Sequence, residues 1–279
     1  MSELSKKPVV DVAEDNAFFP SEFSLSQFTA PKTDYDGSKY ERKVSGKKVL
    51  AIMTEERYLL MKNGTFFSTG NHPVETLVPL LHLVEAGFEV DFATISGAPV
   101  KFEFWAMPSD DEAVKGLFER YKKELKSPLK LSEIDLDASD YAAVFVPGGH
   151  GAMAGVPESA DVANALNWAM KNDRHVIAIC HGPVAFLATA ANGEFAFKGY
   201  EMVAFPDGEF DAALVEIGYT PGGLPYFVPE RLRALGAKVL NSDIKGAVHK
   251  DRKLLTGDSP LASNALGKLA AQELLATFA

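Results

Sequence analysis

The chain has 279 residues, of which 47% are hydrophobic and 24% charged, with a formal net charge of −10 at neutral pH. A chain of this length and composition buries a sizeable core without disulfides or structural metals, and its one cysteine excludes an internal disulfide or a cysteine-rich zinc site. The acidic balance opposes stable binding to nucleic acid or to anionic membranes. No run of about 18 apolar residues marks a membrane span. The opening stretch MSELSKKPVVDVAEDNAFF lacks the apolar centre of a secretion signal, so a cytoplasmic protein is expected.

Residues 1–45 show no sustained period but carry Phe18, Phe19, Phe23, Phe28, Tyr35 and Tyr40. A disordered tail is poor in aromatics, so this segment is predicted to be an ordered extension packed over a core. From residue 46 strands and helices alternate. Lys48–Met53 reads as a buried parallel strand, and Pro73 to Gly87 as a helix with proline near its start and glycine past its end. Phe88 to Ile95 is a second strand, and residues 109–127 form an exposed amphipathic helix. A third strand, 142–146, runs into Pro147-Gly148-Gly149-His150-Gly151, and a helix over 159–172 leads to a fourth strand, His175 to Ile179. A short helix follows Pro183, strands are expected near 202–205 and 237–240, and a helix lies over 228–235 between them. Lys253 to Thr256 reads as a hairpin strand, and Ser259-Pro260 as the N-cap and first turn of the final helix. The run His249-Lys250-Asp251-Arg252-Lys253 reads as a solvated turn rather than a binding patch. Alternation of this kind predicts an α/β fold with a parallel sheet between helices on both faces, whose ligands bind at the carboxyl ends of the strands.

Chemistry concentrates in Val176-Ile177-Ala178-Ile179-Cys180-His181-Gly182-Pro183. A cysteine leaving a buried strand for a helix, with glycine two residues on, has the form of a nucleophile elbow. Helix-dipole placement there would favour thiolate. Free cysteines are more often small buried hydrophobes, but the strand-end position and the following His-Gly-Pro shift the weight toward a nucleophile. Carbonyl chemistry also needs a proton carrier and oxyanion donors. His181 is the carrier at hand, and the backbone of Gly148 and Gly149 the donor candidate. Glu75, in Asn71-His72-Pro73-Val74-Glu75, either complements the helix dipole or faces the thiol. His72 has the same two readings, with the weight on a structural one.

The stretches AEDNAFFPSEFSLSQF, STGNHPVETLVPL, FEFWAMP, VFVPGGHGA, ICHGPVAFLA, AFPDGEF, EIGYTPG and VHKDRKLLTGDSPLASNALGKLAAQELLA span nearly the whole chain. In them the chain resembles the HchA-type glyoxalase III and chaperone family of the PfpI-like superfamily. The resemblance implies a flavodoxin-like, class I glutamine amidotransferase-like core over 46–279. It also implies a smaller cap from 1–45 with insertions about 97–137 and 207–226, and a homodimer. It implies Cys180 as nucleophile, His181 beside it, Glu75 facing them, and an acid within Phe205–Asp211 to orient His181. Asp211 is the choice there, with Glu209 and Asp207 as alternatives. Some members hold a metal with two histidines and a glutamate. The matching positions here are Val84, Glu89 and Tyr121, so no bound metal is expected.

The activity so implied is cofactor-free conversion of methylglyoxal to lactate through a Cys180 hemithioacetal, with His181 or Glu75 moving the proton between adjacent carbons. The same site would act on the adducts methylglyoxal forms on proteins. Other implied readings are a holding chaperone for unfolded clients, independent of Cys180, and a small-peptide cysteine peptidase. A glutaminase is weaker still, since Ala178 replaces the glycine usual before that nucleophile.

Overall fold

The computed structural model describes residues 3–191 and 193–279, with every side chain among them except that of Glu209. Seven strands form the main sheet, in the order Val248–Asp251, Leu254–Gly257, His175–Ile179, Tyr141–Val146, Lys48–Ile52, Glu89–Thr94 and Leu129–Lys130. All neighbours are parallel except the Val248–Asp251/Leu254–Gly257 hairpin at one edge. Val49–Ile52, Tyr141–Val146 and His175–Ile179 are buried throughout. This is the pattern of continuous apolar strands covered on both faces. The α/β fold expected from the alternation is the one observed.

The helix Pro73–Glu85 packs against the final helix, Ser263–Phe278. They approach most closely at Gly267, where a Cβ would lie 2.9 Å from Pro79 Cα and 2.5 Å from the His82 ring. The helix Ala160–Lys171 packs against Tyr141–Val146 and His175–Ile179. It starts where predicted because Ser159 Oγ accepts from Val162 N. Three expectations shift. The helix predicted over 109–127 breaks at Tyr121 into Glu112–Arg120 and Lys122–Lys126. The strands near 202 and 238 pair with each other, apart from the main sheet. Ser259 does not cap the last helix; its hydroxyl donates to Asp258 Oδ1, and a short 3-10 turn, Pro260–Ala262, comes first.

Residues 3–45 of the N-terminal extension pack on the rest of the chain, as its aromatics suggest. Val9–Val10 and Ala17–Phe19 join Phe66–Ser68 and Tyr58–Leu60 in a second, four-stranded sheet. Tyr40 bonds His82 Nδ1 at 2.9 Å, while His82 Nε2 meets Asn264 Oδ1 at 2.8 Å. One buried imidazole thus ties the extension to both packed helices. Among the described residues no helix is long and apolar enough to cross a membrane.

Candidate active site

Lys48–Ile52 lies between Glu89–Thr94 and Tyr141–Val146, so the chain builds the sheet outward in one direction and later returns to the other side. Such reversals open a crevice at the carboxyl ends of the strands. Here the loops leaving the strands are zipped together there. Asn71 Nδ2 donates to Thr54 O and Lys101 O, His72 N donates to Gly148 O at 3.0 Å, and Gly151 N donates to Gly70 O. A cavity of about 510 Å³ opens among these loops, with Glu75, Cys180 and His181 in its lining.

Cys180 stands at its floor in a left-handed conformation, φ 60°. For a residue other than glycine this costs about 1–3 kcal/mol and persists only where the surroundings enforce it. The enforcement is visible: Cys180 N donates to Gly257 O and its carbonyl accepts from Phe205 N, both at 2.9 Å. Gly182 is needed for a different reason than the turn itself. A Cβ there would meet Val146 O at 2.3 Å.

His181 Nδ1 lies 3.5 Å from Cys180 Sγ, and its Nε2 lies 3.0 Å from Asp207 Oδ1. The other Asp207 oxygen accepts from Val228 N at 2.8 Å. Asp211, expected to orient His181, does not reach it. Its carboxylate accepts from Leu224 N at 2.9 Å and shapes the following turn. The reason is backbone geometry. Asp207 precedes the helix Glu209–Glu216, whereas Asp211 lies inside that helix. Glu209, the other alternative, has its side chain outside the described residues.

Glu75 is fully buried, and among the described residues neither of its oxygens has an N–H or O–H partner. It faces Cys180. A Cβ on Gly148 would lie 2.1 Å from Glu75 Oε2 and 2.8 Å from Cys180 Cβ, so glycine makes room for both. Burial, with Glu103 and Asp258 nearby, drives the Glu75 carboxyl far above the usual carboxylate range, against the pull of its contact with the thiol. Burial therefore favours the protonated form of Glu75. Burial pushes the thiol up, as does negative charge at Glu75 and Glu103, while the His181 backbone N–H pulls it down. The turn that follows the cysteine is a five-residue 3-10 helix, Gly182–Phe186, rather than the α-helix expected, and it runs directly into the helix Leu187–Ala191. His181 Nδ1 is the ring nitrogen nearest the thiol, 3.5 Å from Sγ.

Gly149 lines the cavity with φ 99°, a value open to glycine, and a Cβ there would meet Gly70 O at 2.3 Å. Among the described residues no backbone acceptor takes the N–H of Gly148 or Gly149. That leaves both as candidate oxyanion donors.

Sequence reasoning missed a second polar cluster in the same cavity. The His150 ring lies tilted against that of His181 with centroids 4.4 Å apart, and its Nδ1 lies 3.9 Å from Glu103 Oε1. That same oxygen accepts from Thr69 Oγ1 at 2.6 Å and from His150 N at 3.3 Å. Burial alone would raise Glu103, but His150, His72 and Thr69 outweigh it and hold the carboxyl below its ordinary value. Burial lowers His72 to about 4 and also lowers His150. Tyr219 closes this side, its ring 5.9 Å from His150 and 5.6 Å from Trp105. The only sequence signal was a glutamate amid aromatics in Phe102-Glu103-Phe104-Trp105. Phe28, Phe210, Leu214, Ile244 and Leu261 form an apolar rim.

Val84, Glu89 and Tyr121 do not make a metal site. Glu89 offers one exposed carboxylate, Val84 only hydrocarbon, and the Tyr121 ring packs edge-on against Phe92, its phenol raised by burial.

Residues 66–196 match the DJ-1/PfpI family. Protein/nucleic acid deglycase 1 of Escherichia coli (strain K12) is 58% identical over 281 residues, which cover 99% of this chain and 99% of that one. The same figures hold for Protein/nucleic acid deglycase HchA of Escherichia coli O157:H7. Among solved structures, glyoxalase III from Candida albicans superposes with a TM-score of 0.66 at 24% identity, over 84% of this chain and 99% of that one. The 24 kDa Rapid Encystment Protein of Francisella tularensis does so with a TM-score of 0.70 at 21% identity, over 82% and 99%. These two likenesses speak for the fold alone. Shared sequence over the full length decides the family: the chain belongs to the HchA-type branch of the DJ-1/PfpI proteins.

Proposed function

We propose that this protein is a cofactor-free glyoxalase III and deglycase with Cys180 as its nucleophile. The observation that carries the proposal is the alignment of Cys180 Sγ, His181 and Asp207 at 3.5 and 3.0 Å, with buried Glu75 beside the thiol, in one cavity. The 58% identity to proteins named deglycases supports it. His181 Nδ1 takes the thiol proton as Sγ adds to the aldehyde carbon, and returns it to the new C1 oxygen, giving a hemithioacetal. Backbone N–H groups at Gly148 and Gly149 stabilise the charge on that oxygen. Asp207 fixes the imidazole tautomer and stabilises its cation. An internal proton shift then converts the adduct to a thioester, which water hydrolyses to lactate with return of the thiol. The same attack on aminocarbinol or hemithioacetal carbon would remove methylglyoxal from glycated protein. Segments 1–45, about 97–137 and 207–226 act as a cap that narrows access. Phe28 and Phe210 at the cavity rim belong to them.

The test is lactate formation from methylglyoxal, without glutathione or added metal, by the wild type and Cys180→Ser. Activity confined to the wild type is expected; equal activity in the variant rules out this nucleophile. A second reading, holding of unfolded clients by a homodimer, draws support from exposed Val9, Val10 and Leu60 on the edge strands of the small sheet. Under it, suppression of aggregation survives Cys180→Ser.

A further inference from the structure

The proton shift needs a group to receive the C1 hydrogen while His181 keeps Nε2 on Asp207 and uses Nδ1 for the proton that moves from Sγ to the C1 oxygen. Such a base must offer a lone pair inside the same cavity.

We propose that His150, oriented by Glu103, is the base that removes the C1 hydrogen of the Cys180 adduct. This inference rests on the glyoxalase function proposed above and assigns a step within it. His150 Nδ1 faces Glu103 Oε1 at 3.9 Å, long for a hydrogen bond, as catalytic contacts often are before substrate binds. A carboxylate accepts only, so Nδ1 carries the hydrogen and Nε2 the lone pair. Nε2 is buried and has no hydrogen-bond partner among the described residues. The ring lies beside that of His181, the group that serves Cys180 Sγ, with centroids 4.4 Å apart and planes tilted by 39°, and both rings line the cavity with Cys180. Thr69 and the His150 backbone N–H fix Glu103 in place. His72 also leaves Nδ1 without a partner there, but no carboxylate hydrogen-bonds its ring among the described residues.

The step balances. Nε2 takes the C1 proton, the C–H electron pair becomes the C1=C2 double bond, and the C2 oxygen takes the negative charge. His150 then returns the proton to C2, while the C1 hydroxyl proton passes to the C2 oxygen. C1 is oxidised to the thioester level and C2 is reduced to the alcohol, so no external oxidant enters.

The experiment separates adduct formation from C–H cleavage. Protection of Cys180 from iodoacetamide by methylglyoxal reports the adduct, and lactate formation reports the whole reaction. In His150→Gln, protection should match the wild type while lactate formation falls about 100- to 10,000-fold, the usual contribution of a general base. The primary isotope effect with aldehyde-deuterated methylglyoxal should rise as C–H cleavage becomes slower. Added imidazole should partly restore turnover to His150→Ala. Glu103→Gln should lower the plateau rate and move the acid limb of the pH profile downward, because Glu103 supports protonation of His150. Lactate formation by His150→Gln within about threefold of wild type overturns the assignment. Joint loss of protection and turnover also overturns it, since His150 would then serve assembly of the site. A wild type that shows protection but makes no lactate removes the C–H step. One that shows neither removes the proposed function with it.

Discussion

Replacing Asp207 with asparagine tests the site's geometry most directly. Asp207 is a buried carboxylate with one oxygen on His181 Nε2 at 3.0 Å and the other on Val228 N at 2.8 Å. Asparagine keeps an oxygen for Val228 N and so preserves the loop, but it presents an amide N–H to His181. Two facing donors cannot pair, so the imidazole adopts the other tautomer, with hydrogen on Nδ1. The nitrogen 3.5 Å from Cys180 Sγ then donates and can no longer receive the thiol proton. A hydrogen bond to a charged group contributes about 1.5–3 kcal/mol, which sets a floor of about 10- to 150-fold in rate. Reversal of the tautomer carries the loss toward about 10⁴-fold, the size it has in serine hydrolases. Asp211→Asn is the control. Its oxygen still accepts from Leu224 N, 2.9 Å away in the native protein, and the rate should stay within about threefold. The assay is steady-state lactate formation from methylglyoxal, with circular dichroism to verify the fold of each variant. The reasoning fails if Asp211→Asn loses as much activity as Asp207→Asn, or if Asp207→Asn stays within about tenfold of wild type.

Gly148→Ala should place a methyl group 2.1 Å from Glu75 Oε2 and 2.6 Å from Ile179 O, costing about 1–3 kcal/mol by overpacking and slowing Cys180 alkylation. Chemical denaturation and iodoacetamide kinetics measure the two effects. Glu75→Gln should stabilise the protein increasingly as pH rises. The folded carboxyl is raised above its ordinary 4.5, so wild type keeps its full contribution below that value and loses stability as pH climbs toward the folded value. Denaturation midpoints for the two proteins should therefore converge near pH 4 and diverge above it, and parallel curves would contradict a raised Glu75 carboxyl. Tyr40→Phe removes the 2.9 Å bond to His82 and should cost about 1 kcal/mol, with faster proteolysis of the N-terminal extension. Unchanged stability would mean that the extension is held elsewhere.

The framework was legible because burial imposes a period on sequence. Val144-Phe145-Val146 and Val176-Ile177-Ala178-Ile179 can be continuous apolar runs only as strands covered on both faces, and the charged stretches between them had to lie outside. Cys180 stood out because a strand end opening onto a His-Gly-Pro turn is a local feature, written in consecutive residues. What the local pattern does not carry is the positive φ of Cys180 itself, held by Gly257 and Phe205, which are distant in sequence.

Sequence by itself determined the alternation of strand and helix, the order of the loops over the crevice, and the place of the cysteine at a strand end, since each follows from spacing within one segment. Only the tertiary structure decided which partners meet. Asp207, Glu209 and Asp211 differ by two residues each and are equivalent on paper. The start of a helix at residue 209 sends Asp207 back to His181 and turns Asp211 toward Leu224. Glu103, His150 and His72 come from three loops that share no period, and only loop-to-loop hydrogen bonds bring them into one cavity. The charge states of Glu75 and Cys180 likewise depend on removal from water, which no linear pattern records.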